Sequence, residues 1–410
     1  MEVQFLSIIL AYLDYKSAYI DFREKVSFTA TRVREILREI KKNYDISGVV
    51  LLSTCNRTEL YISSSDIDNI DAAEILCEAA GLKDDRIISL FNIKYNNEAI
   101  LHLMEVACGL QSMVLCEDQI ITQVKNAALV AREEKTSDSI LETLFRLGAT
   151  AAKKAKTLVK IKAVPNSVAE SAMDSLAKKY NLNNKKVLVI GNGETGRLCC
   201  QKLINLGAEV TITLRKYKHG ETIVPYGCST ISYDERAKIL SKVDVVVSAT
   251  SSPHYTITLD MLDKLDKKPQ YFIDLALPRD IEPVIWNMEG IYCYNLDYIC
   301  GDATEINADE ISQIKEIISY YCIQFEKWNT FHKGAKLIKS IKKSTFLKVS
   351  NCIDNSDISY EDCDLIEQTV NKTVDIILYS LKNELSYEML CQLQNKINFN
   401  METTKIGILK

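Results

Sequence analysis

The sequence predicts an α/β multidomain chain: an N-terminal α+β domain, a doubly wound parallel sheet after it, and an all-helical C-terminal domain. Three observations predict this. The apolar runs Val49 to Leu52 and Leu60 to Ile62 flank a short polar turn, as a strand pair does. A continuous apolar strand, Val187 to Ile190, runs straight into a glycine-rich loop and a helical pattern. From Asp302 onward apolar residues recur only at helical spacing.

With 410 residues, 47% of them hydrophobic and 26% charged, the chain has material for several cores. No apolar stretch reaches the length of a membrane span and the N-terminus carries no signal pattern, so the default expectation is a cytoplasmic protein. The net charge of -5 argues against general affinity for nucleic acid. Two local basic stretches stand out, Lys153, Lys154, Lys156, Lys160 and Lys162, and then Lys333, Lys336, Lys339, Lys342, Lys343 and Lys348, each read first as a solvated helix face. The thirteen cysteines are scattered without zinc spacing, which predicts no metal site. Cys77, Cys108, Cys199, Cys200 and Cys322 fall among apolar helix positions and read as core residues in a reducing compartment.

In order, residues 3–10 read as a strand and 31–44 as a helix with Val33, Ile36, Leu37 and Ile40 on one face. The strand pair around Ser53-Thr-Cys-Asn-Arg-Thr-Glu59 follows. Its turn presents Cys55 beside Arg57, and a neighbouring cation favours the nucleophilic thiolate, so Cys55 reads as a nucleophile with Arg57 as activator or as a clamp for an anion. A polar hairpin with an incidental cysteine is the alternative. Residues 71–80 are helical and stop at Gly81, and the helix 97–110 leaves His102 roughly 120° from the centre of its apolar stripe, where it faces a cleft or is half-buried. The helix 117–134 puts Gln119 and Gln123 on one face, lining a polar pocket or facing solvent. A long helix, 139–160, leads to Pro165, and Ser167 with Glu170 forms a capping box that opens the next helix.

The strand 187–190 enters Gly191-Asn-Gly-Glu-Thr-Gly196 and a helix, 197–206, closed by Gly207. This is the dinucleotide fingerprint of a Rossmann-type sheet: Gly191 permits the turn, Gly193 the approach of a pyrophosphate, Gly196 the packing of helix on strand. The next strand, 209–214, ends at Arg215 and Lys216, two cations where an acid would mark NAD, so the preferred cofactor is NADPH. Strands at 243–248 and 271–276, with helical segments at 235–240 and 258–265, complete the sheet. Beyond it, Ile311, Ile314, Ile318, Tyr321, Phe325 and Trp328 form a short heptad seam, and a second helix with Ile366, Val370, Val374, Ile377 and Leu381 packs against it or against a second copy. Domain limits at 1–160, 161–296 and 297–410 follow.

The assembled motifs resemble the glutamyl-tRNA reductase family. They are Ser53 to Tyr61, Gly109-Leu-Gln-Ser-Met-Val114, Glu117-Asp-Gln-Ile120 with Gln123-Val-Lys125, Gly191 to Gly196, Ser248 to His254, and Asp274 to Pro283, collinear over about three hundred residues. The resemblance implies a catalytic glutamyl-tRNA-binding domain, an NADP-binding domain and a helical dimerisation domain. It implies Cys55 as nucleophile and His102 as the histidine needed for activity. Thr54, Asn56, Arg57, Ser112, Glu117, Asp118, Gln119 and Gln123 would line the substrate pocket. Gly191, Asn192, Gly193, Glu194, Thr195 and Gly196 would bind NADPH. Departures from the family's pattern are Gln111 before Ser112, Cys116 before Glu117, and Asn192 and Thr195 inside the glycine loop.

The implied reaction reduces glutamyl-tRNA to glutamate 1-semialdehyde through a thioester on Cys55, at the start of tetrapyrrole biosynthesis, in a homodimer. Direct transfer of product to glutamate 1-semialdehyde aminomutase is left open. With Cys55 and the glycine loop in different domains, motion about Pro165 would bring them together. The basic stretches would contact tRNA phosphates. Two alternatives stand beside this: an NADP-dependent dehydrogenase of a free small molecule, resembling shikimate dehydrogenase, and a catalytically idle binding protein on the same fold.

Overall fold

The computed structural model describes residues 7–113, 117–159, 167–215, 223–299, 308–351, 360–381 and 384–407. Lys160, Lys162, Pro165, Cys116 and Lys216 lie outside the described residues, as does the side chain of Asp118. Contacts divide the chain into two units, one spanning Ser7–Ser319 and the other holding Tyr320 onward.

The first unit opens with β1 (Ser7–Asp14), α1 (Ile20–Arg23), α2 (Ala30–Asn43), β2 (Gly48–Ser53), β3 (Arg57–Ser64), α3 (Ala72–Ala80), α4 (Asp85–Ile88), β4 (Asn92–Tyr95), α5 (Asn96–Ala107), α6 (Asp118–Glu133) and α7 (Ser139–Leu158). Its four strands are antiparallel in the order β2-β3-β1-β4. Helices α2 and α3 pack together on this sheet, as do α5, α6 and α7. Every residue of β3 is buried, so both of its faces are covered. The helix starts follow from local chemistry: Thr29 caps α2 through Arg32 N (3.3 Å), Asp71 caps α3, and Asp138 caps α7 through Leu141 N (2.9 Å). Gly81, at φ 76°, ends α3 in the left-handed region.

A second sheet follows: α8 (Val168–Lys179), β5 (Lys186–Ile190), α9 (Glu194–Asn205), β6 (Glu209–Leu214), β7 (Ser229–Ser232), α10 (Arg236–Ile239), β8 (Val245–Ser248), α11 (Leu259–Asp263), β9 (Tyr271–Asp274), β10 (Tyr292–Asn295) and α12 (Leu296–Ile299). Its six strands are all parallel in the order β10-β9-β8-β5-β6-β7, the doubly wound dinucleotide-binding topology with β5 at the switch point. Ser167 Oγ accepts from Glu170 N at 3.2 Å, which starts α8. Helix α9 begins at Glu194, three residues earlier than the sequence pattern suggests, because Gly193 takes the cap position and puts Gly196 inside the first turn. The edge strands β7 and β10 are additions to the sequence reading.

The two sheets belong to one contact unit because the loops between them are clasped. Arg23 pairs with Asp297, Arg279 donates to Glu24 Oε1 (2.7 Å) and Asp21 Oδ1 (2.6 Å), and Ser27 Oγ donates to Leu277 O (3.2 Å).

The second unit is helical. It takes over within α13 (Ala308–Asn351) and continues through α14 (Tyr360–Ser380) and α15 (Tyr387–Gly407). Ile341, Val374, Leu378 and Leu390 form its core, and Lys342 ties α13 to Asp375 of α14 at 2.7 Å. Of the apolar positions expected on one seam of α14, Val370 and Val374 face this core, whereas Ile377 is 53% exposed. The core-facing phase is Val370-Val374-Leu378, one residue away from the expected Ile377. No described helix is long and apolar enough to cross a membrane.

Candidate active site

Pairing of β2 with β3 ends at Ser53 and Thr58, leaving Thr54 to Asn56 as the connection. Thr54 N donates to Arg57 O (2.9 Å), and Thr54 Oγ1 accepts from the backbone N–H groups of Asn56 and Arg57 at 3.2 Å each. The hydroxyl expected to meet substrate therefore also closes the turn. Tyr15 N donates to Asn56 O (3.1 Å) and Arg23 Nη1 to Cys55 O (3.3 Å), so the backbone around the thiol is anchored from outside the hairpin. Cys55 itself packs against the hydrophobic cluster of the second sheet, which includes Met113, Leu275 and Leu296. It lies where the two sheet domains meet.

Strand β3 alternates, so Arg57, Glu59 and Tyr61 share one face. Glu59, fully buried, accepts from Arg57 Nη1 (2.8 Å) and Tyr61 OH (2.7 Å) and meets His102 Nε2 at 3.0 Å. His102 is 2% exposed and its ring lies 4.3 Å from that of Tyr12. The flank position expected for it thus resolves into a buried one, fixed by a carboxylate the sequence reading did not single out. Arg57 also donates to Gln111 O, and Gln111 in turn bridges Glu105 (2.8 Å) and Lys16 (2.9 Å) through its side chain.

Arg57, expected as thiol activator or substrate clamp, here donates to Glu59 and to Gln111 O. Burial pushes the Cys55 thiol up to about 12; Glu117 adds to this, and Arg23 and Arg57 oppose it without prevailing. Burial also raises the Glu117 carboxyl, against the pull of Ser112 and Arg57. Ser112 and Glu117 are buried, Gln119 and Gln123 half-buried on α6, and Asn56 Oδ1 is a buried acceptor without a partner among the described residues. Glu117 acts on both Cys55 and Ser112, and Arg23, which donates to Cys55 O, pairs in turn with Asp297; neither Arg23 nor Asp297 is marked by a local pattern.

Burial alone would raise the Glu59 carboxyl, but His102, Arg57 and the Tyr61 hydroxyl hold it at about 2. A carboxylate held below its unfolded value contributes stability above about pH 4.3 that is lost as pH falls toward the folded value. Glu59→Gln is expected to lower unfolding free energy at neutral pH by about 3 kcal/mol, because Arg57 is left buried and unpaired. Urea titrations from neutral pH downward check this: the deficit against the native chain should shrink below about pH 4.3, and a deficit independent of pH would count against it.

At the carboxyl ends of the second sheet, a groove of about 140 Å³ is lined by Gly191, Asn192, Gly193, Thr213, Leu214, Arg215, Tyr233 and Ala249 to Ser251. Gly191 adopts φ +107°, and a Cβ there would strike Ala249 O; a Cβ on Gly196 would fall on Gly191 O. Gly193 has open space where a Cβ would stand. Gly191 N donates to Thr213 Oγ1 (3.1 Å), and Arg197 Nη1 to Asn192 O (3.2 Å). Glu194 and Thr195 lie in the first turn of α9, whose free N–H groups suit a pyrophosphate. Arg215 lies 4.4 Å over the Tyr233 ring at the groove wall, placed for a 2′-phosphate. The glycine loop at the start of α9 and Arg215 at the wall suit a phosphorylated dinucleotide.

Its far wall is held by two buried carboxylates. Asp280 accepts from Ser248 Oγ (2.7 Å), Thr250 N (2.9 Å) and Thr250 Oγ1 (2.6 Å), while Asp274 accepts from Asp280 N and Ile281 N at 2.9 Å each.

Comparison with known proteins gives matches over both sheets. Residues 12–159 match the family model of the glutamyl-tRNA(Glu) reductase N-terminal domain, and residues 171–300 that of shikimate/quinate 5-dehydrogenase. A probable multifunctional siroheme biosynthesis protein of Ruminiclostridium josui is 61% identical over 83% of this chain, which spans 66% of that relative's length. A glutamyl-tRNA reductase of Acetivibrio thermocellus is 44% identical over 80% of this chain and 98% of its own. The solved glutamyl-tRNA reductase of Methanopyrus kandleri is 26% identical over 96% of this chain and 99% of its own, with a TM-score of 0.46.

Proposed function

Because the chain belongs to the glutamyl-tRNA reductase family, we propose that it reduces glutamyl-tRNA to glutamate 1-semialdehyde and releases tRNA, at the start of tetrapyrrole biosynthesis. The observation that carries this reading is the thiol of Cys55, held on a backbone-anchored turn and packed against the core of the nucleotide-binding domain. Cys55 sulfur attacks the ester carbonyl carbon, the bond from that carbon to the ribose oxygen breaks, and the ribose oxygen takes a proton as tRNA leaves. Held by Gly191 to Gly196 and Arg215, NADPH would supply the hydride that takes the acyl carbon to the aldehyde level, with the Cys55 thiolate as leaving group.

The chain's own groups divide the remaining work. Glu117 opposes ionisation of the thiol in the empty site. An α-ammonium of the glutamyl group paired with Glu117 removes that opposition, so activation is tied to substrate arrival. The unpartnered Asn56 Oδ1 suits an N–H donor of the same group. Ser112, Gln119 and Gln123 complete the pocket, and His102, fixed on Glu59, handles the proton. Gly191 to Gly196 and Arg215 hold the cofactor.

On this reading residues 1–160 bind the substrate, 161–296 the nucleotide, and the helices beyond join two copies. Leu365, Ile376 and Tyr379 of α14, all more than 60% exposed, supply apolar surface for that association. A groove of about 250 Å³ between α6 and α7, lined by Lys125, Arg146 and Lys153, supports contact with the tRNA backbone. A cytoplasmic location suits a tRNA substrate, and the reactive aldehyde suits direct hand-over to glutamate 1-semialdehyde aminomutase.

An NADPH oxidation assay with aldehyde trapping tests the reaction. Consumption should require acylated glutamyl-tRNA and give one trapped aldehyde per NADPH. Turnover with a free hydroxy or keto acid, and none with glutamyl-tRNA, would favour the dehydrogenase alternative instead.

A further inference from the structure

Five tyrosines gather at one edge of the second sheet, on and beside β9 and β10. Tyr180 follows α8, Tyr271 opens β9, Tyr292 opens β10, Tyr294 stands two residues on, and Tyr298 lies in α12. Ring centroids are 4.4 Å apart for Tyr180 and Tyr271, 5.3 Å for Tyr271 and Tyr292, and 4.9 Å for Tyr294 and Tyr298. The Tyr271 ring stacks with Tyr292 at 22° and with Tyr294 at 15°, while the Tyr180–Tyr271 and Tyr294–Tyr298 pairs are tilted, so the five rings form one connected cluster. Its outer members stay open to solvent, Tyr292 at 49% and Tyr298 at 59%.

Cations sit on this cluster. Lys179 Nζ lies 4.8 Å from the Tyr294 ring and 4.1 Å from that of Tyr298, and Lys185 Nζ lies 5.4 Å from Tyr180. The segment Lys178-Lys-Tyr-Asn-Leu-Asn-Asn-Lys-Lys186 holds four lysines and no acid, in a chain whose net charge is -5. Exposed aromatic faces flanked by ammonium groups match the two repeating features of unpaired RNA, a planar base and a phosphate. A polyanion with stackable rings complements this edge better than a protein surface of mixed charge does.

We propose that this edge is a landing surface for unpaired nucleotides of the tRNA, whose bases stack on Tyr292 and Tyr298 while the lysines of 178–186 neutralise phosphates. The inference rests on the tRNA-dependent function above and adds a contact to it. The nucleotide groove is lined by residues 191–193, 213–215, 233 and 249–251, none of which belongs to this edge, so RNA held here leaves the groove's own residues free for NADPH.

Anisotropy titrations of unacylated glutamate tRNA test it. A Tyr292→Ala/Tyr298→Ala variant should bind about tenfold more weakly or worse, and the Tyr292→Phe/Tyr298→Phe variant should bind like the native chain, since stacking needs the ring and not the hydroxyl. Lys179→Glu/Lys185→Glu, which removes no packed ring, should flatten the dependence of log affinity on log salt by about 1 to 2. NADPH affinity should be unchanged throughout, which reports an intact domain. Native tRNA affinity and salt dependence in the alanine and glutamate variants would overturn the proposal, and would be the result if a protein partner covered this edge. Failure of the native chain to bind tRNA would instead overturn the function on which the proposal rests.

Discussion

Mixed with glutamyl-tRNA in the absence of NADPH, the protein is expected to gain one glutamyl group, and peptide mass spectrometry should place it on Cys55. The turn that carries Cys55 fixes its backbone through Thr54, Tyr15 and Arg23, so the sulfur is presented in one place. Cys55→Ala should show no adduct and lose turnover by on the order of 10³-fold or more, because no other group can hold the acyl carbon. The resting thiol adds a second signature. Its ionisation is opposed by burial and by Glu117, so Glu117→Gln should speed alkylation of Cys55 in the substrate-free protein. The same variant should slow acyl transfer, since the pairing partner of the substrate is lost. An adduct on another cysteine would overturn the assignment of the nucleophile.

Substitutions in the glycine loop should separate reduction from acyl transfer. A Cβ on Gly196 would fall on Gly191 O, backbone that cannot swing aside. Gly196→Ala is therefore expected to destabilise the chain by about 3 kcal/mol and to abolish NADPH binding. Gly193 is different: its φ of -80° is open to any residue and no atom stands where its Cβ would be. Gly193→Val should leave stability nearly unchanged, obstruct the approach of the pyrophosphate, and weaken NADPH binding by about 100-fold. It should still form the adduct on Cys55. Calorimetry and adduct mass together read both effects, and tight NADPH binding by Gly193→Val would refute this account of the loop.

The parts of this molecule that were legible in its sequence are those whose signals are local. The loop from Gly191 to Gly196 declares itself because turn, phosphate approach and helix packing each need glycine within six positions of one another. Helices α2, α3 and α8 were legible for the same reason, through the apolar face of α2, the stop of α3 at Gly81 and the capping box of α8. Glu59 was not, although it organises the site, since its partner His102 is 43 residues away and the contact exists only once α5 lies on the sheet. Arg23 and Asp297 are separated by 274 residues. Strands β7 and β10, four residues each with little apolar alternation, hold their places by pairing to neighbours rather than by their own pattern. The phase of α14 was misread because Ile377 and Leu378 are equally apolar, and only packing chooses between them.

Arg279 and Asp280 are neighbours in the chain and face opposite tasks. Arg279 grips Glu24 and Asp21 of the thiol-bearing domain; Asp280 fixes Thr250 in the wall of the nucleotide groove. Adjacent residues of one segment therefore contact both ligand-handling halves of the molecule. A displacement of this segment would be felt at both the Glu24 clasp and the Thr250 wall, because the two contacts are made by consecutive residues.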